Sequence, residues 1–319
     1  MRRLGPLAVA LLLLGACSDP EPAGPPAADP ADPSTTTGTT ADVDWPELPT
    51  AGDPVAVVTA TGLVLPVIGR DGEGFGVVTP CFNEAAATGE PITGAHVVLD
   101  PGHGGRDPGA VSPDGLAESD VNLTVAERTR DSLEASGATV VLTRTNDEFI
   151  SLATRARLGV AIDPLAFVSI HHNAEPDGPW PRPGSETYYQ IANPDSKRLA
   201  GLLWEELVAA LEPFDADWVA DTDAGAKYRL SDSGGDYYGI LRRTEGITAV
   251  LSEAAFMSNP PEAALLATEA FQRAEADAIA RAVIRFVTTD DEGSGFTEPY
   301  PRPATGSGGP ASCADPPLG

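Results

Sequence analysis

The sequence predicts an α/β protein whose main domain is a three-layer αβα sandwich with a twisted, mostly parallel central sheet. From about residue 94 to 288, short apolar runs rich in β-branched residues alternate with longer segments of helical period. The run ITAVLSE is apolar almost throughout, which is typical of a strand covered on both faces of a parallel sheet. Hydrophobic residues make up 42% of the 319-residue chain, so a substantial core can form.

The elements of this domain can be placed in chain order. AHVVLD is the first strand, and a helix is expected from about Ser119 to Ser136. Apolar residues recur near a 3.6-residue period between Val121 and Leu133, and Gly137 follows as a C-cap. The strands ATVVLTR, LAFVSIH and ETYYQI come next, with helices over Leu152–Ile162 and Asp195–Leu211. After the strand ITAVLSE, two helices over Pro261–Ala267 and Ala270–Val287 close the domain.

A small β-hairpin segment is predicted before this domain, over residues 51–93. Between residues 54 and 82, β-branched runs alternate with glycine-rich breaks, and RDGEG is a turn signal. Two to four short strands are too few to fold alone, so we expect this segment to pack on the main domain. Residues 289–319 are expected to form an irregular tail rich in glycine and proline.

The first 16 residues read as an export signal. Arg2 and Arg3 precede an apolar run from Leu4 to Leu14, and LGAC ends at Cys17. This arrangement resembles a bacterial lipoprotein signal, in which Cys17 would be lipidated and would anchor the protein to the membrane outside the cytoplasm. The alternative is an ordinary secretory signal with a chance cysteine. Residues 17–50, rich in Pro, Thr, Ala and Asp, then predict a disordered tether.

The charge excludes one class of partner. The formal net charge is -27, and a polyanion such as nucleic acid would be repelled by such a surface. The acidity is otherwise explained by solubility or adaptation to salt.

Two cysteines remain after Cys17, and they lie on either side of the main domain. Export places Cys81 and Cys313 in an oxidising compartment, where a disulfide between them is expected. The alternative is two unpaired, distant thiols.

Metal-binding residue types lie at or near strand ends. His103 follows AHVVLD, His171 ends LAFVSIH, and Glu118 precedes a helix. Two imidazoles and one carboxylate can hold Zn²⁺ with one position left open for water. Glu253 ends ITAVLSE, and a carboxylate at the end of an apolar strand could accept a proton from that water. The pattern therefore indicates a zinc hydrolase.

Residue patterns alone leave several of these assignments open. Glu118 could be an ordinary acidic residue at a helix N-terminus, and Glu253 an ordinary strand-end glutamate. Adjacent strand residues point to opposite faces, so only one of His171 and His172 can face the site, and the period does not say which. Asn173 would share the face of His171. Asp107 could orient His103 or simply belong to a turn.

Taken together, the motifs resemble the zinc-dependent N-acetylmuramoyl-L-alanine amidases of the amidase-3 type, over residues 95 to about 287. The matching stretches are VVLDPGHGGRDPGA, GLAESDVNLTVA, SIHHNA and VLSEAAFMSNP. The resemblance assigns His103, Glu118 and His171 as zinc ligands and Glu253 as the catalytic residue, and it leaves His172 at a variable position. A further stretch fits the family through Arg144, Asp147, Leu152 and Arg155.

The resemblance also implies the substrate, peptidoglycan, and the bond cleaved, between N-acetylmuramic acid and L-alanine. Ser119 stands where the family often has lysine, and Ala254 and Ala255 stand where it has glycine. Neither change removes a ligand or the base. Between Tyr189 and Glu253 there is little room for the occluding helix of some relatives, so no such block is expected.

Other functions remain open at this point. One is a non-catalytic peptidoglycan-binding lipoprotein, and another is a zinc peptidase or deacetylase acting on a different amide. The N-terminal β segment could bind the wall rather than only pack. Asn173 and Arg242 are possible substrate contacts, although a surface arginine explains Arg242 equally well. Glu186 is a weaker candidate near the site. The sequence does not identify a protein activator.

Overall fold

The computed structural model describes residues 43–48, 52–175, 184–214, 224–298 and 313–318. They all fall within one compact unit, Thr40–Gly319. Cys17, the predicted signal and most of the predicted tether lie outside the described residues. Among the helices that are described, none combines the length and the apolar character needed to span a bilayer.

A six-stranded sheet forms the centre of the main domain. In chain order its strands are β6 (Val97–Pro101), β7 (Val140–Leu142), β8 (Ala166–Asn173), β9 (Glu186–Tyr189), β10 (Gly225–Lys227) and β11 (Ala249–Phe256), after the five strands described below. Their order across the sheet is β10-β9-β11-β8-β6-β7. All pairings are parallel except that of β9 with β11. The prediction of an α/β domain built on a central sheet is confirmed, and β10 is a strand that the sequence pattern did not predict.

The direction of the strands decides where the functional side chains meet. Strands β6, β8 and β11 are parallel neighbours, so their carboxyl ends lie at one edge of the sheet. Strand β9 is antiparallel to β11, so its beginning lies at that same edge. Glu253 of β11 is therefore in register with both His171 of β8 and Glu186 of β9.

Helices cover both faces of this sheet. They are α1 (Glu118–Ala135), α2 (Leu152–Ile162), α3 (Pro194–Leu211), α4 (Gly239–Arg243), α5 (Pro260–Leu266) and α6 (Glu269–Thr288). Apolar residues of α1, α3 and α6 share one core cluster with the sheet. Those of α2 and α4 share the cluster on the opposite face. The five-residue helix α4 was not predicted, because the segment LRR carries no apolar period long enough to reveal it.

Side-chain caps fix where several helices begin. The hydroxyl of Ser151 accepts a hydrogen bond from the Thr154 amide at the start of α2. Asn193 and Asn259 cap α3 and α5 in the same way, each followed by a proline in the first turn. These caps explain why the predicted and observed starts of the helices agree closely.

The N-terminal segment is larger than the predicted hairpin. Five antiparallel strands form one sheet of order β4-β3-β2-β1-β5: β1 (Ala56–Thr59), β2 (Val64–Asp71), β3 (Gly74–Val78), β4 (Glu84–Ala87) and β5 (Gly89–Ile92). Three of these strands, β1 to β3, lie within residues 54–82, in agreement with the two to four strands predicted there. The edge strands β4 (EAAA) and β5 (GEPI) lie beyond that range and were not predicted, because their β-propensity is low. Ala56 and Val64 join the core cluster of α2 and α4, so this sheet packs on the main domain.

Both predicted irregular segments have parts that pack on the fold. Trp45, placed by composition in the tether, is buried beside α1, and its indole Nε1 donates a hydrogen bond to the Ser136 carbonyl at 3.1 Å. At the other end, Leu318 packs against the core of the N-terminal sheet. A few specific contacts hold each of these segments, and composition averaged over 30 residues does not reveal them.

A disulfide joins Cys81 to Cys313, with the Cα atoms 5.6 Å apart. Next to it, the Asp315 carboxylate accepts hydrogen bonds from the Cys81 amide at 2.7 Å and from the Asn83 side chain at 2.9 Å. The bridge spans 232 residues, so the entire main domain lies within one covalent loop.

Replacing both cysteines with serine is expected to lower the free energy of unfolding by about 2–5 kcal/mol, because the unfolded chain gains entropy when this long loop is opened. Equilibrium denaturation of the oxidised protein and of the double variant measures the difference. Reduced wild-type protein is the control and is expected to match the variant. Equal denaturation midpoints for oxidised protein and double variant would contradict the prediction.

Candidate active site

Three side chains from three elements converge at the edge where the parallel strands end. His103 lies on the loop after β6, Glu118 is the first residue of α1, and His171 lies near the end of β8. One potential ligand atom from each lies within 4.8 Å of the others. The structure thus brings together all three residues that the sequence indicated as metal ligands.

The loop carrying His103 is shaped by backbone conformations and close contacts. His103 has φ = 60°, a left-handed conformation that is uncommon for a residue with a side chain and often marks a functional site. Asp107 lies 3.0 Å from His103 Nδ1 and orients the imidazole, as one of the two sequence interpretations proposed. A Cβ atom at Gly102 would lie 2.1 Å from the His171 ring, so only glycine lets the loop pass so close to His171.

Two buried arginines hold this loop from beneath. Arg144 donates from Nε to the Pro101 carbonyl and from Nη2 to the Gly102 carbonyl, both at 3.0 Å. Arg155 donates to the carbonyls of Pro101 and His103. Arg155 also forms a fully buried ion pair with Asp100, at 2.9 Å. Backbone carbonyls that a tight loop leaves inside the protein therefore gain charged donors, which fixes the position of His103.

The carboxylate of Glu118 lies between the two imidazoles. Its Oε1 atom is 3.2 Å from His103 Nε2 and 2.9 Å from His171 Nδ1. Its Oε2 atom accepts a hydrogen bond from the Ala110 amide at 2.9 Å. Glu118 also opens α1, so the helix dipole favours its negative charge. The two interpretations of Glu118, ligand and helix-start charge, are both compatible with this position.

The charges of these groups depend on one another. Burial raises the pKa of Glu118, but the charge of His103 and the hydrogen bonds from both histidines outweigh it and bring the pKa well below the ordinary value. Burial lowers the pKa of His103, yet Glu118 and Asp107 raise it overall to about 10. For His171, burial is the largest effect and lowers the pKa. A metal ion binds imidazole nitrogens that carry no proton, so metal binding at this site competes with protonation.

His172 faces the opposite side of the sheet. Its imidazole is completely buried, 2.8 Å from Asn122 Oδ1 of α1 and 3.0 Å from Glu275 Oε2 of α6. Burial lowers its pKa, but the charge of Glu275 outweighs that effect and the net shift is upward. The His172 imidazole is occupied by Asn122 and Glu275 and is not among the three converging side chains, so His171 is the histidine of β8 that can share a metal ion with His103 and Glu118.

This geometry predicts opposite outcomes for the two adjacent histidines. His171→Ala removes one of three ligands, so we expect no stoichiometric zinc binding in a calorimetric titration. His172→Ala leaves all three ligands in place and is expected to bind one zinc ion per chain at saturation. The same pattern with the two variants exchanged would show that the register of β8 has been assigned wrongly.

Glu253 stands beside His171, one of the three candidate ligands. It lies in register with His171, so both side chains leave the same face of the sheet, and it is 8% exposed. The pKa of the Tyr238 hydroxyl is raised by burial and by the negative charge of Glu253. The described surroundings of Glu253 thus combine little water with a nearby histidine ligand, which suits a group that exchanges a proton with a reacting water.

A buried polar cluster adjoins Glu253. Glu186 pairs with Lys227 at 3.1 Å, and each side chain is 2% exposed. Glu186 Oε2 accepts hydrogen bonds from Asn173 Nδ2 and from the Tyr188 hydroxyl, both at 2.7 Å. Asn173, predicted as a substrate contact, therefore binds Glu186. Its part in substrate binding stays a prediction.

Arg242 lies on α4 and has a structural task. Its guanidinium donates to the carbonyls of Asp236 and Tyr237, at 2.6 and 2.9 Å. These contacts are compatible with both interpretations of Arg242, a surface residue and a substrate contact. Its role in substrate binding therefore stays a prediction.

Sequence reasoning missed three buried polar residues around the site: Asn122, Lys227 and Glu275. Two of them carried a signal. Glu275 lies four residues after Phe271 and four before Ile279, on the apolar stripe of α6, where a carboxylate is costly without a partner. Lys227 ends a short buried strand. Asn122 follows the apolar Val121 within a helix and gave no such indication.

The residues present fit a zinc ion. Two imidazole nitrogens and one carboxylate oxygen converge on one point, which is the donor set that zinc hydrolases use together with an open position. A Cβ at Gly109 would lie 2.5 Å from Glu118 Oε2 and 2.7 Å from His103 Cδ2, so the loop is shaped closely around these two side chains.

An α/β domain with three converging candidate metal ligands and a nearby buried carboxylate has the arrangement that metal-dependent hydrolases use. Comparison with known families is more specific. Residues 97–285 match the Amidase_3 model, described as N-acetylmuramoyl-L-alanine amidase, and the chain belongs to this family.

Individual relatives agree with the family. The chain is 36% identical over 208 residues to the uncharacterized protein YqiI of Bacillus subtilis, covering 65% of this chain and 89% of YqiI. It is 38% identical over 193 residues to the amidase LytC of the same organism, covering 59% of this chain but only 35% of LytC. Among solved structures, the amidase AmiC2 of Nostoc punctiforme superposes with a TM-score of 0.51 and 30% identity, over 60% of this chain and 96% of that one.

Proposed function

We propose that this amidase hydrolyses the amide bond between N-acetylmuramic acid and L-alanine in peptidoglycan, with zinc held by His103, Glu118 and His171 and with Glu253 as the catalytic residue. The observation that carries the proposal is the convergence of these three side chains within 4.8 Å, next to Glu253 in register with His171. Membership of the amidase family supports the choice of bond.

The chemistry of the ion and of the residues can be separated. Zinc, when bound, supplies Lewis acidity that polarises a carbonyl and lowers the pKa of a water. Glu253 accepts the proton of the attacking water and later gives it to the departing amine of L-alanine. Asp107 holds His103 in the orientation needed for binding through Nε2, since it takes Nδ1. The arginine pair beneath the loop keeps His103 and Glu118 at their short separation.

The place of action follows from the substrate. We propose that the protein works outside the cytoplasm, tethered to the membrane through a lipidated Cys17, with the segment that precedes the fold giving it reach into the wall. Mass spectrometry of the membrane fraction, with Cys17→Ser as the comparison, tests the lipid anchor. Its absence on wild-type protein would remove the anchor and leave the amidase proposal intact.

The decisive experiment is digestion of purified sacculi, with and without a zinc chelator. We expect soluble stem peptides that begin with L-alanine, release that stops on chelation, and recovery when zinc is added back. Release of trimmed peptides with intact muramoyl–alanine bonds would instead indicate a peptidase. Binding to sacculi without any release would indicate a non-catalytic wall protein.

A further inference from the structure

A series of buried hydrogen bonds runs from helix α6 by way of His172 of β8 and Asn122 of α1 to the carboxylate of Glu118. It begins at Glu275 Oε2, which lies 3.0 Å from His172 Nε2. His172 Nδ1 lies 2.8 Å from Asn122 Oδ1. The Asn122 amide nitrogen donates to the Gly102 carbonyl at 3.2 Å and to Glu118 Oε1 at 3.4 Å. The backbone amide of His172 donates to the same Glu118 oxygen, at 3.2 Å.

The orientation of the Asn122 side-chain amide follows from the chemistry of the groups that it contacts. The Gly102 carbonyl and the Glu118 carboxylate can only accept, so the amide nitrogen of Asn122 must face them. The Asn122 oxygen therefore faces His172 and accepts a hydrogen bond from Nδ1–H. The contact of Nε2 with Glu275 Oε2 also needs a hydrogen, which is carried either by Nε2 of an imidazolium or by the carboxyl group, and both forms hold the ring in the same orientation. Each side chain is thereby held in one orientation by the next.

The complete burial of these hydrogen-bonded side chains indicates that they have a functional role. His172 and Glu275 have side chains with no exposure, and Asn122 has none either. Among the residues that the structure describes, Glu275 Oε1 is buried with no hydrogen-bond partner. A carboxylate kept in the core with only one of its oxygens satisfied is costly, and a simple apolar contact between α6 and the sheet would not need it.

We infer that Glu275, His172 and Asn122 are positioning residues that hold the Glu118 carboxylate in the orientation required to bind the metal ion, so that helix α6 helps to set the zinc affinity of the site. This inference rests on the proposed zinc site. It concerns residues that are not among the three candidate ligands. Groups that orient a metal ligand from behind commonly change metal affinity by about 10- to 100-fold when removed.

The test measures the zinc dissociation constant of the purified full chain by competition with a chromophoric chelator. Asn122→Ala and Glu275→Ala are expected to weaken zinc binding by about 10- to 100-fold. Glu275→Gln is expected to stay within a few-fold of wild type, because its amide can still hydrogen-bond to His172 Nε2. Ser132→Ala is the matched control: it removes another contact between α1 and α6, Ser132 Oγ to Asp277 at 2.8 Å, which has no link to the site.

A structural role alone would not give this pattern. While nearly all molecules are folded, a modest loss of stability leaves the dissociation constant unchanged, so affinity reports on the site itself. The visible spectrum of the Co²⁺-substituted protein provides a second readout, expected to shift in Asn122→Ala and not in Ser132→Ala. If Asn122→Ala fails to fold, the comparison of Glu275→Ala with Glu275→Gln still decides.

Two results would overturn the inference: wild-type zinc affinity in Asn122→Ala and Glu275→Ala, or an equal loss in Ser132→Ala. A different result would reject the proposed function instead. If wild-type protein binds no zinc, the proposed metal site is wrong. If wild-type protein binds zinc tightly and none of these variants weakens the binding, only the positioning role of Glu275, His172 and Asn122 is rejected.

Discussion

Glu253→Gln is expected to reduce the release of stem peptides from sacculi by about 10²–10⁴-fold, the usual contribution of a general base and acid. Glutamine keeps the size and the hydrogen-bonding shape of the side chain but cannot accept a proton at neutral pH. Because Glu253 lies outside the set of His103, Glu118 and His171, the variant is expected to bind one zinc ion per chain. Activity and zinc stoichiometry, measured on the same preparation, test both parts.

A control for the chemical change itself is available on helix α6. Glu269 has a side chain that is 68% exposed, and it pairs with Arg128 and Arg273 at the surface. Glu269→Gln makes the same change outside the set of candidate site residues, and it is expected to keep activity within a few-fold of wild type. Near-wild-type turnover in Glu253→Gln would remove Glu253 from its catalytic role.

The sequence pattern identified some residues of the candidate site and left the roles of others open. His103 and Glu253 could be found because each closely follows or ends an apolar strand, and the carboxyl ends of parallel strands meet. Glu118 could not be assigned from its pattern, because an acidic residue at a helix start has an ordinary explanation. The choice between His171 and His172 depends on which face of β8 meets α1 and α6, and a period of two does not contain that information. Only family resemblance favoured His171 beforehand.

The polar residues around the site could not be predicted from the sequence, for a different physical reason. Glu186 joins the site because β9 runs antiparallel to its neighbour β11, which brings the beginning of one strand to the end of another. A pattern of alternating strands and helices predicts parallel pairings and would put Glu186 at the far edge. Likewise Asn122 and Glu275 lie on helices far apart in the chain, and only packing brings both to His172.

The central sheet was predictable to a greater degree than its borders. Long segments with a clear period gave α1, α3 and α6 nearly at their observed bounds. The elements that were missed are short: β10 has three residues, α4 has five, and β4 and β5 have four each. In such short elements the contacts with neighbouring strands decide the conformation, and intrinsic propensity does not.

Arg155→Met is expected to lower the free energy of unfolding by about 3–5 kcal/mol, because it leaves the buried carboxylate of Asp100 without its cation. The Asp100 pKa records this dependence: burial raises it, but the charge of Arg155 and the hydrogen bonds from Thr143, Arg155 and Ser169 lower it overall. Methionine also lacks the hydrogen-bond donors that Arg155 provides to the carbonyls of Pro101 and His103, so the loop that carries His103 loses these stabilising contacts. Denaturant unfolding at neutral pH measures the loss.

The sign of the pH dependence distinguishes this ion pair from loss of packing. A carboxylate whose pKa is lowered on folding contributes its stability above its unfolded pKa of about 4 and loses it as the pH falls through the folded value. In Arg155→Met the unpaired Asp100 is instead destabilising when charged, so the gap between wild type and variant is expected to narrow in acid. The double variant Asp100→Asn with Arg155→Met carries no buried charge at this place and is expected to recover part of the loss at neutral pH. Two results together would contradict this account: a stability difference between wild type and Arg155→Met that does not change with pH, and a double variant no more stable than Arg155→Met. Arg155 would then stabilise the fold through packing and its bonds to carbonyls, and its charge would contribute little.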